Sequence, residues 1–465
     1  MKALFILLFA LFVGIYAYAE YSHRQIRAVG EDPDVVHLRW ATDPNPARVV
    51  QTAAFGKVFP GYRVSVEPSG ADKLLVQCAT GTGPDIIDVY SIQQMGGYVD
   101  AGILLDLTPY AEKDGFGPSN TYPALKDDLG VEGKQYRFPC NVWANCVIYN
   151  RELFDDHGIP YPTKGWSWAD FIEAGKKFNQ KGKSGKTHIP LANFYPYWMF
   201  CDLLMSHGGR FYSENGLSSR LDTPEAIAAM SLYHDLVYKH SVIPTPEIVS
   251  SLSSQGGWGS GALDWFSTDR AAMIVIGRWY LNMLVNYPDM PRKISVVELP
   301  HAEGRTTSGV CGTRAAGINA RGPRREQALK FLQYLGSKEY SQIIVQDGDS
   351  LPPNPDYAKS GEALVNKTVS DPAFHQPFVD SIKVARPMDI STFINANLVE
   401  RWINERVSRV DNNREIDVPA VMRDLAKEVN LKIDQNIERE KHLREKFAKV
   451  MGRPWTPDWR KSGQL

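Results

Sequence analysis

The sequence predicts an α/β protein of two or three domains, and two observations carry that expectation. The first is order. Val36, Leu38 and Trp40 alternate with polar residues as a half-buried strand does, a helical run from Ala47 to Phe59 follows, and Tyr62, Val64 and Val66 alternate again. A strand, a helix and a second strand in that order open a parallel sheet flanked by helices. The second is length: 465 residues exceed what one core usually holds.

Composition narrows the function. The chain is 43% hydrophobic and 23% charged with a formal net charge of −1, so it lacks the basic surplus that replaces counterions on nucleic acid. Its 11 Trp and 21 Tyr serve mostly as core. Some can also form amphipathic walls for a ligand with apolar faces and polar edges, as sugars have. The first 19 residues read as a targeting segment: Lys2, an apolar stretch from Ala3 to Gly14, then the small residues of Ala17-Tyr18-Ala19. An uncleaved anchor is the alternative, because the apolar run from Ala3 to Ala19 reaches the lower edge of the roughly 17–25 residues that span a bilayer. The five cysteines, Cys78, Cys140, Cys146, Cys201 and Cys311, read as small buried hydrophobes. Cys140 and Cys146 on one extended strand would stand about 20 Å apart, beyond bridging range. No zinc-ligand spacing and no cofactor motif is present.

In chain order, residues 20–34 are a polar linker. Ala41 to Asn45 is the loop after the first strand; ligands sit beyond the carboxyl ends of such strands, which makes Thr42 and Asp43 candidates, with a turn-forming Asp as the alternative. Asp72 to Thr80 is a helix, and Asp85 to Tyr90 a buried strand. Gly81-Thr82-Gly83 precedes that strand, so it is not a phosphate loop, which leaves a strand and opens a helix. In the extended segment that ends at Tyr149-Asn150, alternation puts Trp143 and Asn145 on one face. Ser167 and Asp170 form a capping-box start. Gly182 to Thr187 lacks the spacing and preceding strand of a P-loop and reads as a lysine-bearing surface loop. The densest aromatic cluster, Asn193 to Trp198, precedes an apolar helix ending at Gly208-Gly209. Pro224 starts a helix with the stripe Ala226, Met230, Tyr233 and Val237. Trp258 to Trp265 is Gly-rich and reads as a loop. Gly277, Arg278 and Trp279 end a buried strand, and Arg278 brings five fixed donors suited to hydroxyls or carboxylates. Gly309 and Gly312 are candidate hinge or ligand-approach glycines. Charge dominates from Glu438, and the last residues read as a surface tail.

Several of these landmarks, in sequence, resemble the extracellular sugar-binding proteins that feed ABC importers, the maltodextrin-binding type. They are the "G-x-x-PD" strand at Pro84-Asp85, Tyr149-Asn150 with Leu153-Phe154, Gly208-Gly209, and Ala272-Met273 leading to Gly277 and Trp279. Asp269 stands where the family usually carries Gly. The resemblance implies the periplasmic-binding-protein type II fold, two α/β lobes joined by hinge strands with a ligand cleft between them. It divides the chain into lobe 1 (35–144 and 313–350), lobe 2 (145–312 and 351–436) and a charged extension (437–465). It implies cleft contacts from Tyr90, Ser91 and Gln93, from Trp143 and Asn145, from Asn193, Tyr195 and Trp198, from Gly277, Arg278 and Trp279, and at Gly312.

On that basis the chain is expected to be an exported, monomeric, non-enzymatic carrier. It would capture a carbohydrate without cofactor or metal and deliver it to the membrane permease subunits of an ABC importer, in the periplasm or outside the cell. The alternatives are a membrane-tethered sugar sensor and a two-carboxylate glycosidase.

Overall fold

The computed structural model describes residues 34–68, 70–252 and 261–462; the targeting segment, most of the linker and the first part of the Gly-rich loop lie outside them. The strands form two main sheets. The first begins with β1 (Val36–Ala41), α1 (Ala47–Val58), β2 (Tyr62–Glu67), α2 (Ala71–Ala79), β3 (Ile86–Val89) and α3 (Ile92–Asp100). Its β1 pairs in parallel with β2 and β3, as the strand–helix–strand order requires. A small hairpin, β4 (Gly130–Val131) and β5 (Lys134–Gln135), precedes β6 (Phe138–Ala144). The sheet's order is β2-β1-β3-β11-β6, in which β11 (Cys311–Ile318) arrives from far along the chain and runs antiparallel to both neighbours.

The segment around Asn145 is two strands, not one. β6 stays in the first sheet, and β7 (Cys146–Asn150) belongs to a second sheet of order β10-β7-β9-β8. Asn145 alone joins them. The alternation of side chains survives the break: Trp143 and Asn145 are half-buried while Val142, Ala144 and Cys146 are buried. After β7 come α4 (Arg151–His157), α5 (Trp168–Phe178), β8 (Ile189–Ala192), α6 (Pro196–Ser206), α7 (Pro224–Tyr238), α8 (Pro246–Leu252), α9 (Ala262–Ser267), β9 (Ala271–Ile276), α10 (Met290–Lys293) and β10 (Ile294–Glu298). α9 occupies the second half of the stretch read as a Gly-rich loop. The capping box at Ser167 and Asp170 forms as expected. Asp269 has φ 60°, the left-handed region that favours glycine. Asn150 and Lys293 hold its carboxylate there at 2.7 and 2.5 Å.

The core of the first sheet packs Trp40, Phe55, Phe138, Phe331 and Tyr334 between β1, β6, α1 and α11 (Arg325–Leu335). Beside it lies a buried charge cluster. Asp349, just past α12 (Lys338–Asp347), accepts from Arg48 Nη1 at 2.7 Å, Gln51 at 3.0 Å and Asn141 at 2.9 Å, with Arg314 at 3.5 Å. Arg314 also donates to Asp88 at 3.0 Å, and Asp88 accepts from Trp40 Nε1 at 2.7 Å. The chain returns toward the second sheet past Leu351, which exchanges backbone hydrogen bonds with Val142 at 2.9 Å each way.

The last helices are α13 (Pro372–Val384), α14 (Ala396–Asp411), α15 (Val418–Arg439) and α16 (Lys441–Met451). α14 to α16 share one apolar core with α6 and α7. Residues 441–460 are therefore not a surface tail. Leu443, Phe447 and Trp459 are buried in that core, and Trp459 and Arg460 are anchored on Asp434 at 2.9 and 2.7 Å. The charged residues mask an amphipathic pattern, Leu443 and Phe447 at i and i+4. All five cysteine thiols are buried.

Candidate ligand-binding site

Between the two sheets lies a cavity of about 230 Å³. Tyr90 and Trp143 reach it from the carboxyl ends of β3 and β6 in the first sheet. Asn193, Phe194 and Tyr195, which follow β8, reach it from the second, along with Trp198 and Met199 on α6, Val275 and Ile276 on β9, and Trp279 just beyond β9. Seven of the residues expected from sequence thus come together: Tyr90, Trp143, Asn145, Asn193, Tyr195, Trp198 and Trp279. The aromatic rings are set against one another. Trp143 and Trp198 meet edge to face, with centroids 4.9 Å apart at 85°, and Phe194 leans on Trp279 at 5.6 Å. Tyr90 and Tyr195 stay 43% and 45% exposed, so their rings are open to a guest.

Two glycines make room for these rings. A Cβ on Gly312 would stand 2.6 Å from Trp143 Cζ2, and one on Gly277 would stand 2.9 Å from Trp279 Cδ1. Their part is close approach of backbone and indole. Ser91, with Gly312, lines a smaller adjoining recess, and its hydroxyl caps α3 by accepting from the Gln94 N–H at 3.1 Å. Gln93 sits on the first turn of α3, and its side chain lies outside the described atoms.

Three expected contacts go elsewhere. Arg278 is fully buried and does not line the cavity. Its Nη1 donates to the Ser350 carbonyl at 2.8 Å, its Nη2 to those of Leu364 and Val345 at 2.6 and 3.2 Å, and its Nε to His375 Nδ1 at 3.2 Å. The donors that suited a ligand brace a loop instead, because burying a guanidinium demands such partners. Thr42 is buried, its hydroxyl spent on Asp88. Asp43 pairs with Arg48 at 2.7 Å, and its backbone N–H donates to Tyr90 Oη at 3.0 Å. It positions a wall residue rather than lining the cavity.

The polar floor includes a group that the sequence reading missed. Asp202 is buried at the cavity's base. Its Oδ2 accepts from Asn145 Nδ2 at 2.7 Å and its Oδ1 from the Val310 N–H at 2.9 Å. It therefore ties two of the places where the chain passes between sheets, Asn145 and the approach to β11. Burial, against the pull of those two donors, pushes its pKa up to about 7. The signal was one acid inside the otherwise uncharged helix PYWMFCDLLMS. Asn193 reaches toward Tyr233 Oη at 3.4 Å, and Tyr233 donates to Asp411 at 2.9 Å. Phe194, Met199, Val275 and Ile276 also went unassigned from sequence.

The family model described as bacterial extracellular solute-binding protein matches residues 41–342. An arabinooligosaccharide-binding protein of Halalkalibacterium halodurans is 26% identical over 276 residues, 58% of each chain. The diacetylchitobiose binding protein DasA of Streptomyces coelicolor is 21% identical over 284 residues, 60% of this chain and 63% of that one. The match thus spans less than two thirds of the length of either relative. Among solved structures, a Listeria monocytogenes ABC substrate-binding protein in complex with cycloalternan superposes with a TM-score of 0.71 at 23% identity, covering 86% of this chain and 99% of that one. The maltose-bound T. maritima MalE3 gives 0.67 at 21% identity, covering 85% and 100%. These likenesses establish the bilobed α/β fold of the MalE type.

Proposed function

The chain belongs to the bacterial extracellular solute-binding protein family, and from that premise we propose that it captures a carbohydrate between its lobes and hands it unaltered to the permease of an ABC importer. The observation that carries this reading is a cleft with aromatic rings supplied by both sheets, Tyr90 and Trp143 against Tyr195, Trp198 and Trp279, over a polar floor of Asn145, Asn193 and Asp202. Pyranose rings present flat C–H faces to such walls and hydroxyls to such edges. The names of the two curated relatives, which refer to arabinooligosaccharides and diacetylchitobiose, point to the same ligand class. The family's description fits an exported carrier.

A two-carboxylate glycosidase needs a second carboxyl group across the substrate. Among the described residues lining the cavity, Asp202 is the only carboxylate, and both its oxygens already accept hydrogen bonds. This favours a carrier over a hydrolase. Because a ligand contacting both lobes favours the closed state by its differential affinity, binding and closure are one event in this reading.

A thermal-shift screen against mono- and oligosaccharides is the test, since a ligand raises stability as RT ln(1 + [L]/Kd). At least one sugar is expected to raise the melting temperature and to be recovered intact by mass spectrometry. With that sugar, Trp279→Ala should weaken binding by at least about 2 kcal/mol in calorimetry. A panel with no binder, or a hydrolysed sugar, overturns the proposal.

A further inference from the structure

On the second lobe, apart from the residues of the cleft, two imidazoles face each other nitrogen to nitrogen. His157 closes α4, and His188 immediately precedes β8. Their Nε2 and Nδ1 atoms are 2.8 Å apart, and Asp156 Oδ2 lies 3.8 Å from His157 Nε2. One ligand atom from each of the three residues fits within a 4.8 Å cluster. The His157 side chain is only 1% exposed, and its ring is fixed edge-on against Phe178 at 4.9 Å.

The loop that the sequence shows as Gly182-Lys183-Ser184-Gly185-Lys186 wraps this cluster. Ser184 donates its backbone N–H to Asp156 Oδ1 at 2.7 Å and its hydroxyl to Oδ2 at 2.8 Å. Lys183 N–H donates to the Asp156 carbonyl at 2.9 Å. A Cβ on Gly182 would stand 2.2 Å from Asp156 Oδ2, so only glycine lets the loop close over the carboxylate. These contacts orient the acid as outer-shell hydrogen bonds orient ligands in metal sites.

We propose that Asp156, His157 and His188 form a zinc-class divalent metal site that clamps the 182–187 loop to α4 and the start of β8. Two imidazole nitrogens and one carboxylate oxygen are the donor set that zinc accepts, with water in a fourth position. At Zn–N distances of 2.0–2.1 Å, two nitrogens on a tetrahedral ion stand about 3.3 Å apart. The observed pair must widen by about half an ångström, a small rotation of the more exposed His188. The ring that now donates across the contact must shift that proton to its other nitrogen, through exchange with water, so that both lone pairs face the ion with no net loss of a proton. The role is structural, and the proposal is independent of the carbohydrate reading.

The test uses the untagged, chelator-treated full chain, titrated with zinc chloride alone by calorimetry and with cobalt(II) by visible absorption. One equivalent should bind saturably, raise the melting temperature, and give the intense absorption of a four-coordinate cobalt site. Asp156→Asn and His188→Asn should each weaken binding at least tenfold. His157 is buried, so its replacement is read only if circular dichroism matches the parent. Absence of saturable binding, or an affinity equal to the parent's in either Asp156→Asn or His188→Asn, overturns the proposal. Since the probe is the ion alone, this result stands or falls apart from the sugar screen.

Discussion

Asp202 concentrates the electrostatics of the cleft in one side chain. With its folded pKa near 7 and an unfolded value of about 3.9, the folded protein keeps a proton that the unfolded chain releases between those values. Its contribution to stability is therefore complete below pH ~4, declines as pH rises to about 7, and is flat above. The decline amounts to about 4 kcal/mol. Asp202→Asn removes the titration while keeping the shape. The stability difference between parent and variant, from urea unfolding at several pH values, should shift in the variant's favour as pH rises from 4.5 to 7.5. A difference independent of pH would remove Asp202 from this role. Residue chemistry also explains why Arg278 misled the sequence reading: five donors are as well suited to buried carbonyls as to a ligand, and only packing decides which they meet.

At the scale of elements, the first sheet is held to its helices by charge as well as by its apolar core. Asp349 links α1 (Arg48, Gln51), β6 (Asn141) and β11 (Arg314). Burial alone would raise its pKa, but Arg48 and Arg314 outweigh burial and hold it down to about 2. Its stabilisation is present above pH ~4 and is lost as pH falls toward 2, opposite in sign to Asp202. Removing the acid leaves two buried guanidinium groups without their shared counter-charge. Asp349→Ala should destabilise the protein by about 3–5 kcal/mol in denaturant unfolding at neutral pH; a loss under about 1 kcal/mol would show that the pairs the arginines already make with Asp43 and Asp88 suffice to hold them. Elements with a local signature were legible: the capping box at Ser167, the stripe on α7, the alternation of β1 and β2. α16 was not, because its lysines and glutamates outnumber the buried Leu443 and Phe447 that dock it.

For the whole molecule, the two lobes already touch away from the cleft. α14 lies against α3, where a Cβ on Gly97 would meet Asn397 Nδ2 at 2.9 Å, and Lys446 on α16 reaches Glu132 beside the β4–β5 hairpin at 2.6 Å. The exposed Lys446–Glu132 pair is worth only about 0–1 kcal/mol, and a ligand contacting both lobes shifts the balance by its differential affinity. Small-angle scattering should show a smaller radius of gyration once the bound sugar is present, and superimposable profiles with and without it would overturn the clamp reading. The sequence by itself determined the alternation of strands and helices and the family landmarks, and it named the aromatic residues that meet at one cavity, because each is written in neighbouring residues or in a spacing of two to four. Tertiary structure alone decided that Arg278 and Thr42 turn into the core, that Asp202 bridges Asn145 and Val310, and that His157 meets His188. Those contacts join residues 31 to 108 positions apart, and which partner a buried polar group finds at that distance depends on how the sheets and helices pack.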